Sequence, residues 1–183
     1  MGFDYKKASK KELKAEYDRI AKEMGDSRFF TKKELDYLPG VLQDGETIHA
    51  FSSGALNNNT WLIVLTDRRI ILLDKGMLFG LRQESVPLNR INAISGSTGL
   101  FFGTIIITDG AKERKITAVW KKTVRIFIDR CQQAIDALDE NRQTKSFGDD
   151  ICTKLERLAQ LKEKGVITCE EFEREKAKML AGE

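Results

Sequence analysis

The sequence predicts an α+β protein: an antiparallel meander of seven strands closed by one helix, with helical pieces on either side. Three observations carry this. Seven short β-prone runs separated by turn residues fill the stretch from Glu46 to Trp120. Helical apolar spacing follows at once, at Val124, Phe127, Ile128, Cys131, Ile135 and Leu138. Near the end, two further helical patterns meet at Gly165. The division is a helical extension over 1–30, a strand domain over 31–139, a linker over 140–149 and a helical hairpin over 150–183.

Each element has a local reason. In SKKELKAEYDRIAKEM, Ser9 and Glu12 stand at capping-box spacing, and Leu13, Tyr17, Ile20 and Met24 form a thin stripe. That stripe suits a helix lying on the domain; the sharper alternative is a contact arm for a partner. Thr31 and Glu34 repeat the capping-box spacing ahead of a short helix that Pro39-Gly40 is expected to stop. The strand runs are ETIHAFSSGAL, NTWLIVLT, RIILLDKG, LRQESVPL, INAISGS, GTIIITDG and KERKITAVW. Asp67-Arg68 and Asp109-Gly110 read as tight joints between them. Short joints between consecutive strands imply an antiparallel meander, and the following helix caps its open end. ENRQTKSFGDD then loses apolar periodicity and reads as a linker. In the hairpin, Asp149 or Asp150 can cap the first helix, Leu155, Leu158 and Leu161 continue a stripe from Ile151, and Gly165 suits a left-handed C-terminal cap. Thr168 with Glu171 caps the second helix, whose stripe is Phe172, Met179 and Leu180.

Composition narrows the function classes. The 183 residues are 41% hydrophobic and 32% charged with two prolines, as in soluble globular proteins. A net charge of +3 is too small to argue for nucleic acid, and aromatics do not interleave with the basic residues. Three scattered cysteines, Cys131, Cys152 and Cys169, suit reduced thiols. The lysines of MGFDYKKASKKELK are followed by no apolar run, so a secretory signal is not expected and a cytoplasmic location is. No enzyme is expected either. The single histidine, His49, lies in a strand pattern with no nucleophile elbow to serve. The cysteines lack metal-ligand spacing, and the glycines of GMLFG and GLFFG lack a phosphate loop's lysine. No catalytic residue, cofactor or metal is therefore expected.

From Tyr37 to Leu138 the order LPGVLQDGE, LTDRRIILLDKGMLFG, SVPLNRINAI and FFGTIIITDG resembles the bacterial pleckstrin-homology-like (PH-like) domains of the YokE-like branch. The resemblance implies the PH superfold, two orthogonal sheets with one end plugged by the C-terminal helix. It also implies ring-like homo-oligomers, with which such domains are associated. Asp150 to Leu180 resembles the SHOCT (short C-terminal domain) module in Leu155, Leu158, Leu161, Gly165, Ile167, Thr168, Glu171, Phe172, Lys176 and Leu180, with Cys169 a departure. That resemblance implies oligomerisation or partner contact.

Eukaryotic PH domains that grip inositol phosphates line their first strand joint with cations. Here the joint is SSGALNNNTW, without one. Lys112, Arg114 and Lys115 cluster elsewhere but read as a solvated strand edge, so a membrane partner is not expected. The apolar groups Met77-Leu78-Phe79 and Leu100-Phe101-Phe102 sit beside turns, either as core plugs or as contact tips. With Leu155, Leu158, Leu161, Ile167, Phe172, Met179 and Leu180 they are the candidate protein contacts. A hairpin this small, without metal or disulfide, must bury its stripe on something else, in cis or in trans. The expected function is a homo-oligomeric assembly protein whose tail links copies or recruits a partner. The alternatives are a membrane-surface adaptor and a ligand- or enzyme-inhibiting module.

Overall fold

The computed structural model describes residues 3–26, 31–76, 80–110 and 112–181, with side chains at 141–152 and 180–181 outside that description. Two compact units divide the chain, Met1–Asp136 and Ala137–Glu183. In the first, helices α1 (Lys10–Met24) and α2 (Lys32–Val41) precede seven strands. These are β1 (Ile48–Leu56), β2 (Asn59–Thr66), β3 (Arg69–Asp74), β4 (Arg82–Pro87), β5 (Ile91–Thr98), β6 (Phe102–Asp109) and β7 (Lys112–Trp120). All pairings are antiparallel, in the order β4-β3-β2-β1-β7-β6-β5. The β1–β4 and β5–β7 ladders meet at one pair, Ala55 with Thr117. The helix α3 starts at Lys121 directly after β7 and is continuous to Glu163. A turn leads to α4 (Cys169–Ala181).

The two ladders are buried differently, and this decides where the helices go. In β6 and β7 buried residues alternate with more open ones, so one face is covered. In β1, β2 and β3 nearly every side chain is buried: Phe51 and Ser52, Leu62 to Leu65 and Ile70 to Leu73 are at most 1% exposed. Apolar runs of this kind need a layer on each face. Helix α1 supplies one, burying Tyr17, Ile20, Ala21 and Met24, with the Tyr17 ring edge-on to Phe51 at 6.2 Å. The stripe read from the sequence thus belongs to a helix seated on its own domain. Val124, Phe127 and Cys131 of α3 are buried as well. Where β1 crosses toward β7 there is no spare volume: a Cβ on Gly54 would lie 2.5 Å from Ile116 Cγ2 and 3.0 Å from Val119 Cγ2.

Several local expectations are corrected. Thr31 makes no side-chain cap; Glu34 instead accepts the Lys75 N–H at 3.0 Å, holding α2 to the end of β3. Pro39 does not stop α2. It falls in the last turn, where only the Leu35 carbonyl loses its donor, and Leu42 N–H closes on Leu38 O. The last hairpin pairs Asp109 with Lys112, so Asp109 belongs to the ladder and does not form the turn together with Gly110. The backbone over 140–149 is helical where a linker was expected. That segment contains no proline, and Glu140, Arg142, Gln143 and Lys145 are good helix formers, so losing an apolar stripe did not mean losing the helix.

One buried charge pair joins the start of the sheet to its second hairpin. The Glu46 side chain is fully buried, and both of its oxygens accept from Arg69, through Nε and Nη2, at 2.8 Å. Thr66 Oγ1 at 2.8 Å and the Gln43 N–H at 2.7 Å complete the carboxylate's shell. Arg69 also donates to Val41 O at 3.1 Å, and Asp67 accepts the Thr47 N–H at 2.8 Å. Burial alone would raise the Glu46 pKa, but Arg69, Gln43 and Thr66 outweigh it and hold the carboxyl below its ordinary value. A lowered folded-state pKa stabilises the fold above the unfolded value and is lost as pH falls through the folded one. Arg69→Met, which strands the charge, should cost about 3–5 kcal/mol at neutral pH in urea unfolding, and less once Glu46 is protonated in acid.

Candidate interaction surfaces

Two surfaces are built from the sequence-predicted contact residues that the structure describes. The first is the turn joining β5 to β6. Gly99 N–H donates to Phe102 O at 2.7 Å to close it, and Lys121 N–H donates to Phe101 O at 3.1 Å, tying it to the start of α3. The chain there is held tightly, since a Cβ on Gly103 would lie 2.3 Å from Ser97 O. Opposite, β7 carries Ala118 at φ 55, and two open residues, Thr117 and Ala118, separate buried Ile116 from buried Val119. This irregularity sends Val119 inward and Trp120 outward. Phe102 pairs with Trp120 across the strands, ring centroids 4.8 Å apart. Leu100 is 79% exposed and Phe101 65%, so neither is a core plug. Phe102 and Trp120 are also exposed.

This apolar tip has a cationic neighbourhood. Lys121, Lys122 and Arg125 are exposed on the first turns of α3. Of these, Arg125 is paired with Asp129, its Nε 3.8 Å from Oδ2, and the sequence holds no carboxylate between Glu84 and Asp109. The companion group Met77-Leu78-Phe79 lies outside the described residues.

The second surface is the hairpin of the second unit. Its turn is capped from both sides. Gly165, at φ 68, donates to Lys162 O, and Val166 N–H donates to Leu161 O, both at 3.0 Å. Thr168 and Glu171 form the predicted capping box: Glu171 N–H to Thr168 Oγ1 at 3.2 Å and Thr168 N–H to the Glu171 carboxylate at 2.8 Å. Phe172 lies beneath Lys162 Nζ, 4.7 Å from the ring centre, which holds α4 to the end of α3. The stripe itself stays open. Leu158 is buried; Leu155, Ile167, Phe172 and Met179 are half-buried; Leu161 is 39% exposed and Val166 65%. The Leu180 side chain lies outside the described residues.

The polar candidates are occupied within the fold. Arg114 is not on a solvated edge but buried, its Nε 2.9 Å from Glu84 Oε2 and its Nη1 2.6 Å from Asp109 Oδ1. Lys112 Nζ reaches the same Glu84 oxygen at 2.8 Å. Sequence reasoning missed this because the acceptor lies about thirty residues back, on β4. At the β1–β2 joint, Asn57 and Asn58 take φ 51 and 63, the left-handed pair a two-residue hairpin turn requires. An open cleft of about 260 Å³ lies between Phe3–Lys6 and Leu42–Thr47. Its Lys6 is paired with Asp44 at 2.6 Å and its Glu46 with Arg69. His49 is exposed on β1, and burial pushes the Cys131 thiol up to about 12, leaving it protonated. Among the described residues no group of three His, Cys, Asp or Glu side chains is placed to hold a metal.

The family profile described as bacterial PH domain matches residues 42–133, half of the chain, and that described as short C-terminal domain matches residues 153–180. Similar solved structures include a pleckstrin homology domain from Shewanella amazonensis SB2B, 20% identical over 49% of this chain and 81% of that one, with a TM-score of 0.34. A DUF1696-family protein with a pleckstrin-homology domain from Shewanella loihica PV-4 is 21% identical over 50% of this chain and 81% of that one, also with a TM-score of 0.34. No curated protein matches.

The tip can be checked by the two tryptophans, since Trp61 is 4% exposed and Trp120 39%. In a Trp61→Phe chain, iodide should quench the remaining emission more strongly than caesium does, because Lys121, Lys122 and Arg125 concentrate anions there. A Trp120→Phe chain should resist both.

Proposed function

The chain belongs to the bacterial PH domain family and carries a short C-terminal domain behind it, and on that premise we propose that it is a non-enzymatic assembly protein. Both domain types are non-catalytic, and together they make a binding and adaptor module. The finer reading is self-association of the PH unit into a closed homo-oligomer, with the tail linking copies or recruiting a protein partner. A cytoplasmic location belongs to the same reading; among the described residues no helix is long and apolar enough to cross a membrane.

The observation that carries the proposal is the open stripe of the hairpin. Its turn and caps are fully satisfied, so the backbone is specified, yet Leu158 is the one described side chain of the stripe that is buried. Well-made caps on an incompletely covered apolar face suit an element that finishes its core on another surface. The exposed Leu100 and Phe101 add a second apolar area of the kind that marks contact sites. The occupied cations at Lys112 and Arg114 argue against phosphate recognition at that hairpin.

A second reading, a membrane-surface adaptor, is favoured by the placement of Lys121, Lys122 and Arg125 beside the aromatic tip. Two experiments separate the readings. In light scattering at micromolar concentration, the full chain should exceed one chain's mass and Phe172→Asp should reduce it, with helicity retained; a monomeric wild type contradicts assembly. Vesicles of phosphatidylglycerol and phosphatidylcholine should leave the wild type in the supernatant. Co-sedimentation lost in Phe101→Ser would instead establish the adaptor.

A further inference from the structure

The β5–β7 ladder has α3 packed on one face. A Cβ on Gly96 would meet Ile128 Cδ1 at 2.5 Å and Val124 Cγ1 at 2.8 Å, so strand and helix are in close contact there. The opposite face is made by the alternate residues of each strand. Phe102, Thr104 and Ile106 interleave with buried Gly103, Ile105 and Ile107 on β6. On β7, Lys115 and Trp120 point the same way, away from buried Ile116 and Val119. Strand register sets Ile106 beside Lys115 and Phe102 beside Trp120. Phe102, Lys115 and Trp120 are exposed and Ile106 is half-buried, so an open apolar strip runs from the Leu100-Phe101 tip to the middle of the sheet.

The border of this strip is cationic. Lys115 on the face and Lys121 and Lys122 just beyond Trp120 are exposed, and among the described residues their side chains form no ion pair. Carboxylates that could have neutralised them are engaged elsewhere: Glu84 and Asp109 hold Arg114, and Asp129 pairs with Arg125. Glu113 lies at the far end of β7, opposite Thr108 and away from the tip.

We propose that this face docks an acidic amphipathic helix of a partner protein, its apolar side chains on Phe102, Ile106 and Trp120 and its carboxylates toward Lys115, Lys121 and Lys122. The inference rests on the reading of the chain as a non-enzymatic binding module and states what kind of partner the strand unit takes. Unpaired cations around an uncharged centre complement a partner that is anionic and apolar at once. The Phe102 and Trp120 rings pack on each other at 4.8 Å. They form one joint anchor, of the kind that dominates protein interfaces, rather than separate open faces for stacked bases. Lys115, Lys121 and Lys122 also fall short of the about four to eight clustered cations by which anionic lipid is recognised. A helix is moreover the layer this fold already uses to cover a sheet face, as α1 does on β1 through Tyr17 and Phe51.

The test uses the full chain and a synthetic peptide of Glu, Leu and Phe patterned as an amphipathic helix, with a second peptide carrying Lys in place of Glu as control. Fluorescence anisotropy should show saturable binding of the acidic peptide, weakened by salt, and none of the basic one. Lys121→Glu combined with Lys122→Glu should raise the dissociation constant at least tenfold, whereas Lys33→Glu on α2 should leave it unchanged. Circular dichroism should be the same for all these chains, because the substituted residues are exposed. In a Trp61→Phe chain the acidic peptide should shift the Trp120 emission to the blue. Absent binding, equal binding of both peptides, or wild-type affinity in the double Lys→Glu chain would overturn the proposal. Trp120 emission that responds to phosphatidylglycerol vesicles and not to the acidic peptide would overturn it in favour of the membrane-surface adaptor. A chain that binds the acidic peptide but is monomeric in light scattering keeps this proposal and loses assembly; an oligomeric chain that ignores the peptide does the reverse.

Discussion

The whole molecule answers to one constraint: β1, β2 and β3 are apolar on both faces, and a sheet with two apolar faces cannot face water on either. Covering both draws in elements that a strand domain could otherwise leave loose. Helix α1 closes one face through Tyr17, Ile20 and Met24, and Thr123 of α3 donates its hydroxyl to the Met24 carbonyl at 3.1 Å. The layers are thereby pinned together by hydrogen bonds as well as by packing. Glu46 and Arg69 sit at the seam, where a buried carboxylate is tolerated because every bond it needs is present.

This arrangement explains the sequence segments that carry the family resemblance. LPGVLQDGE contains Glu46 and LTDRRIILLDKGMLFG contains Thr66 and Arg69; the two stretches are the halves of one hydrogen-bonded lock. They define the fold and leave function to be sought elsewhere. The β5–β6 tip and the tail stripe are where apolar surface remains open among the described residues, and the proposal of protein contact is built on them.

Local features were legible in the sequence and distant ones were not. Ser9 with Glu12 and Thr168 with Glu171 formed their capping boxes because both partners lie within one turn. Thr31 with Glu34 has the same spacing but failed, since Glu34 had a better partner in Lys75, forty-one residues away. Arg114 looked solvated for the same reason: Glu84 is near it only in space. The 140–149 stretch was read as a linker because periodicity reports a core-facing side, and a helix without such a side leaves no apolar trace. GLFFG could not be resolved as plug or tip from its letters, because both uses require large apolar residues beside a turn. The Ala118 irregularity that turns Trp120 outward had no signal that distinguished it from an ordinary strand position.

Open apolar surface on a tightly locked domain is the basis for reading this chain as an assembly unit. Native mass spectrometry of the unmodified full-length chain tests that most directly. The account predicts a discrete multiple of one chain's 20.8 kDa as the dominant species at low micromolar concentration. A spectrum containing only the single-chain mass up to a hundred times that concentration would contradict it.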